Sequence, residues 1–136
     1  MKNHFKLDDQ SFEQKFSDCS FDPGLFSHEA HLRLAWIHIN NYGLENAINN
    51  MNEQIKRYAH SLGFDSKFNR TVTEAAVKAV HHFMQRSISN NFRDFIQEFP
   101  GLKYKFKELL AAHYSIDIFT SEEAKLQFIE PDLSPF

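Results

Sequence analysis

Apolar positions along most of this chain recur every three to four residues, the spacing of one face of an α-helix. The cleanest case runs from Leu44 to Leu62. Leu44, Ala47, Ile48, Met51, Ile55, Tyr58, Ala59 and Leu62 hold one face, and Glu45, Asn49, Asn52, Lys56 and His60 hold the other. Gly63 follows as the residue expected to close that helix in a left-handed turn. The stretch before it, Phe26 to Ile39, is denser in apolar residues. Ser27 suits its N-cap and Asn40-Asn41-Tyr42-Gly43 its stop. On a wheel, His28, Leu32, Ala35 and Ile39 share one face, with His31 and His38 on its shoulder beside Leu34. A helix apolar over most of its circumference is normally surrounded by others, so this one is expected at the centre of the fold with its histidines turned inward.

The same pattern predicts the remaining elements. Phe12 and Phe16 at i,i+4, preceded by Asp8 and Asp9, mark a helix over residues 8–18 that stops near Cys19, before the turn Phe21-Asp-Pro-Gly24. Thr71 or Thr73 is the expected cap of a helix whose stripe is Val72, Ala76, Ala79, Val80 and Phe83. Asn90 or Asn91 opens a short helix through Phe95 that Pro100-Gly101 ends. One further helix carries Leu102, Phe106, Leu109, Leu110 and His113 in register, and Thr120-Ser-Glu-Glu123 has the form of a capping box. The prolines of Glu130-Pro-Asp-Leu-Ser-Pro-Phe136 favour an extended tail. No period-2 strand is present. The expectation is an all-α, compact single-domain bundle of about six or seven helices over residues 1–136, with an extended C-terminal tail.

Composition narrows the class. Fifteen phenylalanines against four glycines and four prolines describe a chain with a core to build, not a disordered one. The net charge is −3 and no run of Lys or Arg exceeds two residues, so no nucleic-acid partner is expected. Lys103, Lys105 and Lys107 alternate with Tyr104 and Phe106, read as a solvated edge beside a core stripe. The single Cys19 cannot form an internal disulfide, and no apolar run approaches the roughly 20 residues of a membrane helix. A cytoplasmic protein with no membrane partner is the expectation; the oligomeric state is not fixed.

The chemistry-bearing residues gather on the central helix. His28 and His31, at i,i+3, are placed to reach one ion from neighbouring turns. His38 lies two turns beyond His31, about 10 Å along the axis, too far to join the same coordination sphere. His113, on the stripe of another helix, is the candidate third ligand from across the bundle. Glu29 is expected to face Arg33 at i,i+4, and Arg33 to act as a helix-edge ion-pair partner or as a planar fork for an anion.

His28-Glu-Ala-His31-Leu-Arg-Leu-Ala-Trp36, Lys67-Phe-Asn-Arg-Thr-Val-Thr73, Tyr114-Ser, Phe119-Thr-Ser-Glu-Glu-Ala124 and Phe128-Ile-Glu-Pro-Asp-Leu-Ser-Pro135 together resemble a family of small, stand-alone bacterial proteins without an assigned activity. The resemblance covers roughly residues 25–135. In that family the second motif reads Tyr-His-Glu-Thr-hydrophobic-Thr, which implies a third histidine and a glutamate beside the first pair. Here Asn69 and Arg70 stand at those two positions. Asn is a poor ligand for a transition metal, and Arg is no base near neutral pH.

The leading expectation is therefore a helical protein that binds a small, anionic ligand in a pocket bordered by His28, His31 and His113, with Arg33, Asn69, Arg70 and Thr71 near its mouth. A divalent transition metal on His28, His31 and His113, serving a metal-dependent or His-based enzyme, is the second expectation. A protein–protein adaptor is the third.

Overall fold

In the computed structural model, which describes residues 3–136, every regular element is helical. Contacts divide the chain into two compact units, residues 1–68 and 69–136. No glycine-, proline- or serine-rich break marks that division in the sequence, which is why the pattern alone predicts a single unbroken domain.

The first unit opens with a 3-10 turn, His4–Lys6, followed by α1, Asp9–Ser17. Asp8 caps α1 by accepting from the Ser11 N–H. Beyond α1 the N–H groups of Ser20 and Phe21 both return to the carbonyl of Lys15. This places Cys19 at a φ of 62°, a left-handed position usually held by Gly or Asn. After a second 3-10 turn, Pro23–Leu25, come α2, His28–Tyr42, and α3, Leu44–Ser61. Gly43 alone joins these two helices, at a φ of 84° that an L side chain rarely adopts, and they pack along one another as a hairpin. A third 3-10 turn, Asp65–Lys67, follows Gly63.

The core of this unit is aromatic. Phe16 stacks on Phe21 at 4.2 Å between ring centroids and meets Phe12, Phe26 and Tyr58 at 5.2–5.5 Å. From Ala30 onward α2 is buried on almost every side: Leu32, Arg33, Leu34, Ala35, Trp36, Ile37, His38 and Ile39 are all covered. The circumferential apolar pattern thus produces the burial it predicts.

The second unit contains α4, Arg70–Met84; α5, Phe92–Glu98; α6, Gly101–Tyr104; α7, Phe106–Ala111; and α8, Glu122–Leu126. Three boundaries differ from the sequence expectation. The cap of α4 is Asn69, whose side chain accepts from the Val72 N–H, in place of Thr71 or Thr73. Ser121, not Thr120, caps α8, accepting from the Ala124 N–H. The helix expected from Leu102 to His113 breaks at Lys105, at φ −132° and ψ 35°, into α6 and α7. The break leaves Leu102, Phe106 and Leu110 all buried and puts His113 beyond the last helical turn. The fold therefore has eight α-helices among the described residues, against the six or seven expected.

The tail is non-helical from Gln127 on, as the prolines predict. It runs back along the end of α7. Tyr114 Oη donates to the Ile129 carbonyl at 2.7 Å, Ser115 N and Oγ donate to Asp132, and Leu133 N donates to the His113 carbonyl. No helix of the described residues is long and apolar enough to cross a membrane.

Candidate functional site

His28, the first residue of α2, is exposed. His31 is half-buried, with the Phe26 ring centroid 6.4 Å away. Burial, with the neighbouring His28 adding to it, pushes the His31 imidazole down to about 4. It is therefore neutral through the physiological range. Because the unfolded chain takes up that proton near 6.5, the contribution to stability is complete above that pH and fades as pH falls toward 4. The loss expected is about 2 kcal/mol, less than the full shift implies because the ring is partly solvated. Urea unfolding at stepped pH checks this: His31→Gln should show a shallower acid slope than wild type, and equal slopes would remove the claim.

Arg33 is not a pocket-edge group. It is 4% exposed and engaged in full. Its Nε and Nη2 donate to Asp9 Oδ1 at 3.3 and 2.8 Å, Nη1 to the His4 carbonyl at 2.6 Å, and Nη2 to the Leu7 carbonyl at 2.8 Å. The guanidinium also lies 4.4 Å from the Phe12 ring centroid. The expected Glu29–Arg33 pair is replaced by a non-local one, in which Glu29 Oε1 is 2.7 Å from His4 Nε2. Arg33 Nη1 approaches His4 Nδ1 at 3.3 Å, so the arrangement fits the His4 tautomer with its proton on Nε2.

Asn69 and Thr71 hold the second unit together. Asn69 Oδ1 caps α4 while its Nδ2 donates to the Ile118 carbonyl at 2.7 Å. Thr71 is fully buried; its Oγ1 donates to the Gln127 carbonyl and accepts from the Ile129 N–H. Both side chains spend their polar atoms on backbone groups, of α4 itself and of segments near Ile118 and Gln127, which explains them without a ligand. Asn69→Ala should lose the cap and orphan the Ile118 carbonyl, costing about 2 kcal/mol in denaturant unfolding. Arg70, the first residue of α4, is exposed and acts electrostatically on the half-buried carboxyl of Glu74, which burial raises above its ordinary value. His113 Nδ1 donates to the Ser134 carbonyl at 2.7 Å, and its ring stacks on Phe136 at 4.2 Å. His28 and His31 belong to one unit and His113 to the other. Among the described residues no group of three or more His, Cys, Asp or Glu side chains is arranged to hold a metal ion.

The second unit presents a concavity that the sequence pattern does not reveal. An open pocket of about 300 Å³ is lined by Lys107, Leu110 and Ala111 of α7, and by residues 114–119 of the following loop. The irregular loop after α7 supplies most of its lining, and helical periodicity does not encode that loop. Most polar groups of the lining already have partners. Tyr114 Oη and Ser115 Oγ donate to the tail, and Asp117 Oδ1 accepts from the Phe119 N–H. The Lys107 ammonium, 5.2 Å from the Phe119 ring centroid, is within ion-pair distance of no carboxylate among the described residues. Leu110, Ile116, Ile118 and Phe119 make the remainder apolar.

No family, curated protein or solved structure matches the chain in comparison. What the fold defines is an all-α protein with an open pocket beside α7, lined by apolar side chains together with Lys107, Ser115 and Asp117.

Proposed function

We propose that the protein binds a small amphipathic anion in the pocket beside α7, with the apolar body against Leu110, Ile116, Ile118 and Phe119 and the anionic group on Lys107. The observation that carries this is the Lys107 ammonium, with no ion-pair partner among the described residues, on the lining of a pocket whose other side chains are mostly apolar. Small-ligand sites have this composition, an apolar wall with few polar groups that fix orientation. Asp117, also in the lining, repels an anion and so favours a ligand whose charged end lies toward Lys107.

The reading keeps the expectation of a small anionic ligand and moves it from the histidines to α7. His28, His31 and His113 have no part in it, and neither a metal nor an enzymatic step is needed.

The test uses 4-phenylbutyrate as the probe, an aryl ring on a short chain ending in a carboxylate. Methyl NMR signals of Leu110, Ile116 and Ile118 should shift saturably on titration. Lys107→Gln should weaken that binding about tenfold, the worth of one charge-assisted hydrogen bond. Unperturbed methyls at millimolar probe, or equal binding by Lys107→Gln, would sink the assignment.

A further inference from the structure

The irregular wall of the pocket beside α7 is also the surface on which the C-terminal tail docks. Residues 114–119, which line the pocket, lie between α7 and α8 and form no helix. Three consecutive residues at the start of this segment bond to the tail. His113 Nδ1 donates to the Ser134 carbonyl at 2.7 Å, and the His113 carbonyl accepts from the Leu133 N–H at 3.0 Å. Tyr114 Oη donates to the Ile129 carbonyl at 2.7 Å. Ser115 gives both its N–H, at 2.9 Å, and its hydroxyl to the Asp132 carboxylate. The Phe136 ring stacks on His113 and lies 6.2 Å from the Tyr114 ring. Where the tail begins it is tied to α4: Thr71 Oγ1 bonds the Gln127 carbonyl and the Ile129 N–H, and the Lys78 ammonium sits 4.4 Å from the Phe128 ring centroid.

We propose that the C-terminal tail is a strap that holds the pocket wall in its ligand-binding shape, so that tail docking and pocket occupancy reinforce one another. The inference rests on the pocket reading above and adds its regulation.

An irregular segment has no helical ladder of its own, and the groups it bonds to set its shape. The far part of the wall is fixed by Asn69, which donates to the Ile118 carbonyl; the near part is fixed by the tail. Tyr114 and Ser115 belong to both the lining and the tail contact, so a displaced tail removes the partners that hold them in place. A wall already ordered costs a ligand less to bind, and a bound ligand keeps the wall ordered for the tail. Charge alone predicts the reverse. Removing the Asp132 carboxylate takes away a negative charge next to Ser115, which by itself strengthens the binding of an anion.

The test is the double variant Asp132→Ala/Phe136→Ala, which changes no residue of the lining. It should bind 4-phenylbutyrate about tenfold more weakly than wild type in the methyl NMR titration. Without probe, the Tyr114 N–H, bonded to the Leu110 carbonyl, should exchange about tenfold faster in the variant. In wild type, saturating probe should slow exchange of the Leu133 N–H, the reciprocal effect. Binding by the variant as tight as wild type or tighter overturns the strap, as does a Leu133 rate that saturation leaves unchanged. If wild type does not bind the probe, the pocket reading fails by itself, and the Tyr114 rate decides the strap: faster exchange in the variant supports it, equal exchange overturns it. Should the double variant not fold, Asp132→Ala alone, an exposed single substitution, is read in the same way.

Discussion

Phe16→Ala is expected to remove about 3–5 kcal/mol of folding stability. Phe16 is fully buried, and four rings surround it: Phe21 stacked face to face, with Phe12, Phe26 and Tyr58 at steeper angles. Truncation removes the ring from all four at once. The neighbours have little freedom to fill the space. Phe12 and Phe21 are themselves essentially covered, and Tyr58 is anchored by its hydroxyl to the Phe21 carbonyl at 2.7 Å. The cavity therefore persists, and its cost adds to the lost transfer free energy. Phe16→Leu, which keeps much of the volume, should cost less than half as much. Urea unfolding followed by far-UV circular dichroism reads both; a loss below about 1 kcal/mol for Phe16→Ala would show that the aromatic cluster can collapse.

Arg33→Ala should cost about 3–5 kcal/mol for a different reason. The guanidinium joins three partners from the N-terminal segment: the carbonyls of His4 and Leu7 and the carboxylate of Asp9. Without it, those carbonyls lose their donor and the segment loses its tie to α2. Arg33→Lys should recover less than half of the loss, since one ammonium cannot reproduce a planar fork that spans several acceptors. Limited proteolysis at neutral pH offers the second readout. Cleavage within residues 3–8 should become faster in Arg33→Ala and in Arg33→Lys, well below the denaturant needed to unfold the wild type. Equal cleavage rates would mean that the segment is held by Phe5 and Phe12 and not by the arginine.

The two positions differ in how much of their role the sequence carries. Phe16 is legible as core from its i,i+4 spacing with Phe12, although the ring cluster around it draws on Phe21, Phe26 and Tyr58 from the turn and from α3. Arg33 is legible as an ion-pair residue, but the spacing points to the wrong partner. Local intervals favour Glu29, four residues away, whereas the fold supplies Asp9 from a different helix. A side chain that tertiary packing buries takes the partners the packing brings, and the sequence interval says nothing about them.

The pocket beside α7 illustrates the same limit from the functional side. The alternation of Lys103, Lys105 and Lys107 with Tyr104 and Phe106 reads as a continuous helix edge in water. In the fold the helix breaks at Lys105, and Lys107, on α7, lines a pocket with Leu110, Ile116, Ile118 and Phe119. Asn69 and Thr71 are candidates for a site in the sequence. In the fold they are a helix cap and a buried clasp on residues 127 and 129.

Periodicity, caps and turn residues by themselves determine that this chain is helical, where α1, α2 and α3 begin and end, and that α2 is covered on nearly all sides. Those properties depend on neighbours within a turn or two, and the sequence contains all of them. Tertiary structure alone decides what the histidines of α2 meet. The sequence makes His28 and His31 an inward pair, with His38 set apart by helical rise; in the fold His28 is exposed and His38 is the buried one. A helical wheel gives the angle between two side chains on one helix, but not the direction from which other segments arrive. At His38 those segments are α1 and α3, and the groups they bring, Glu13, Asn50 and Gln54, decide its chemistry.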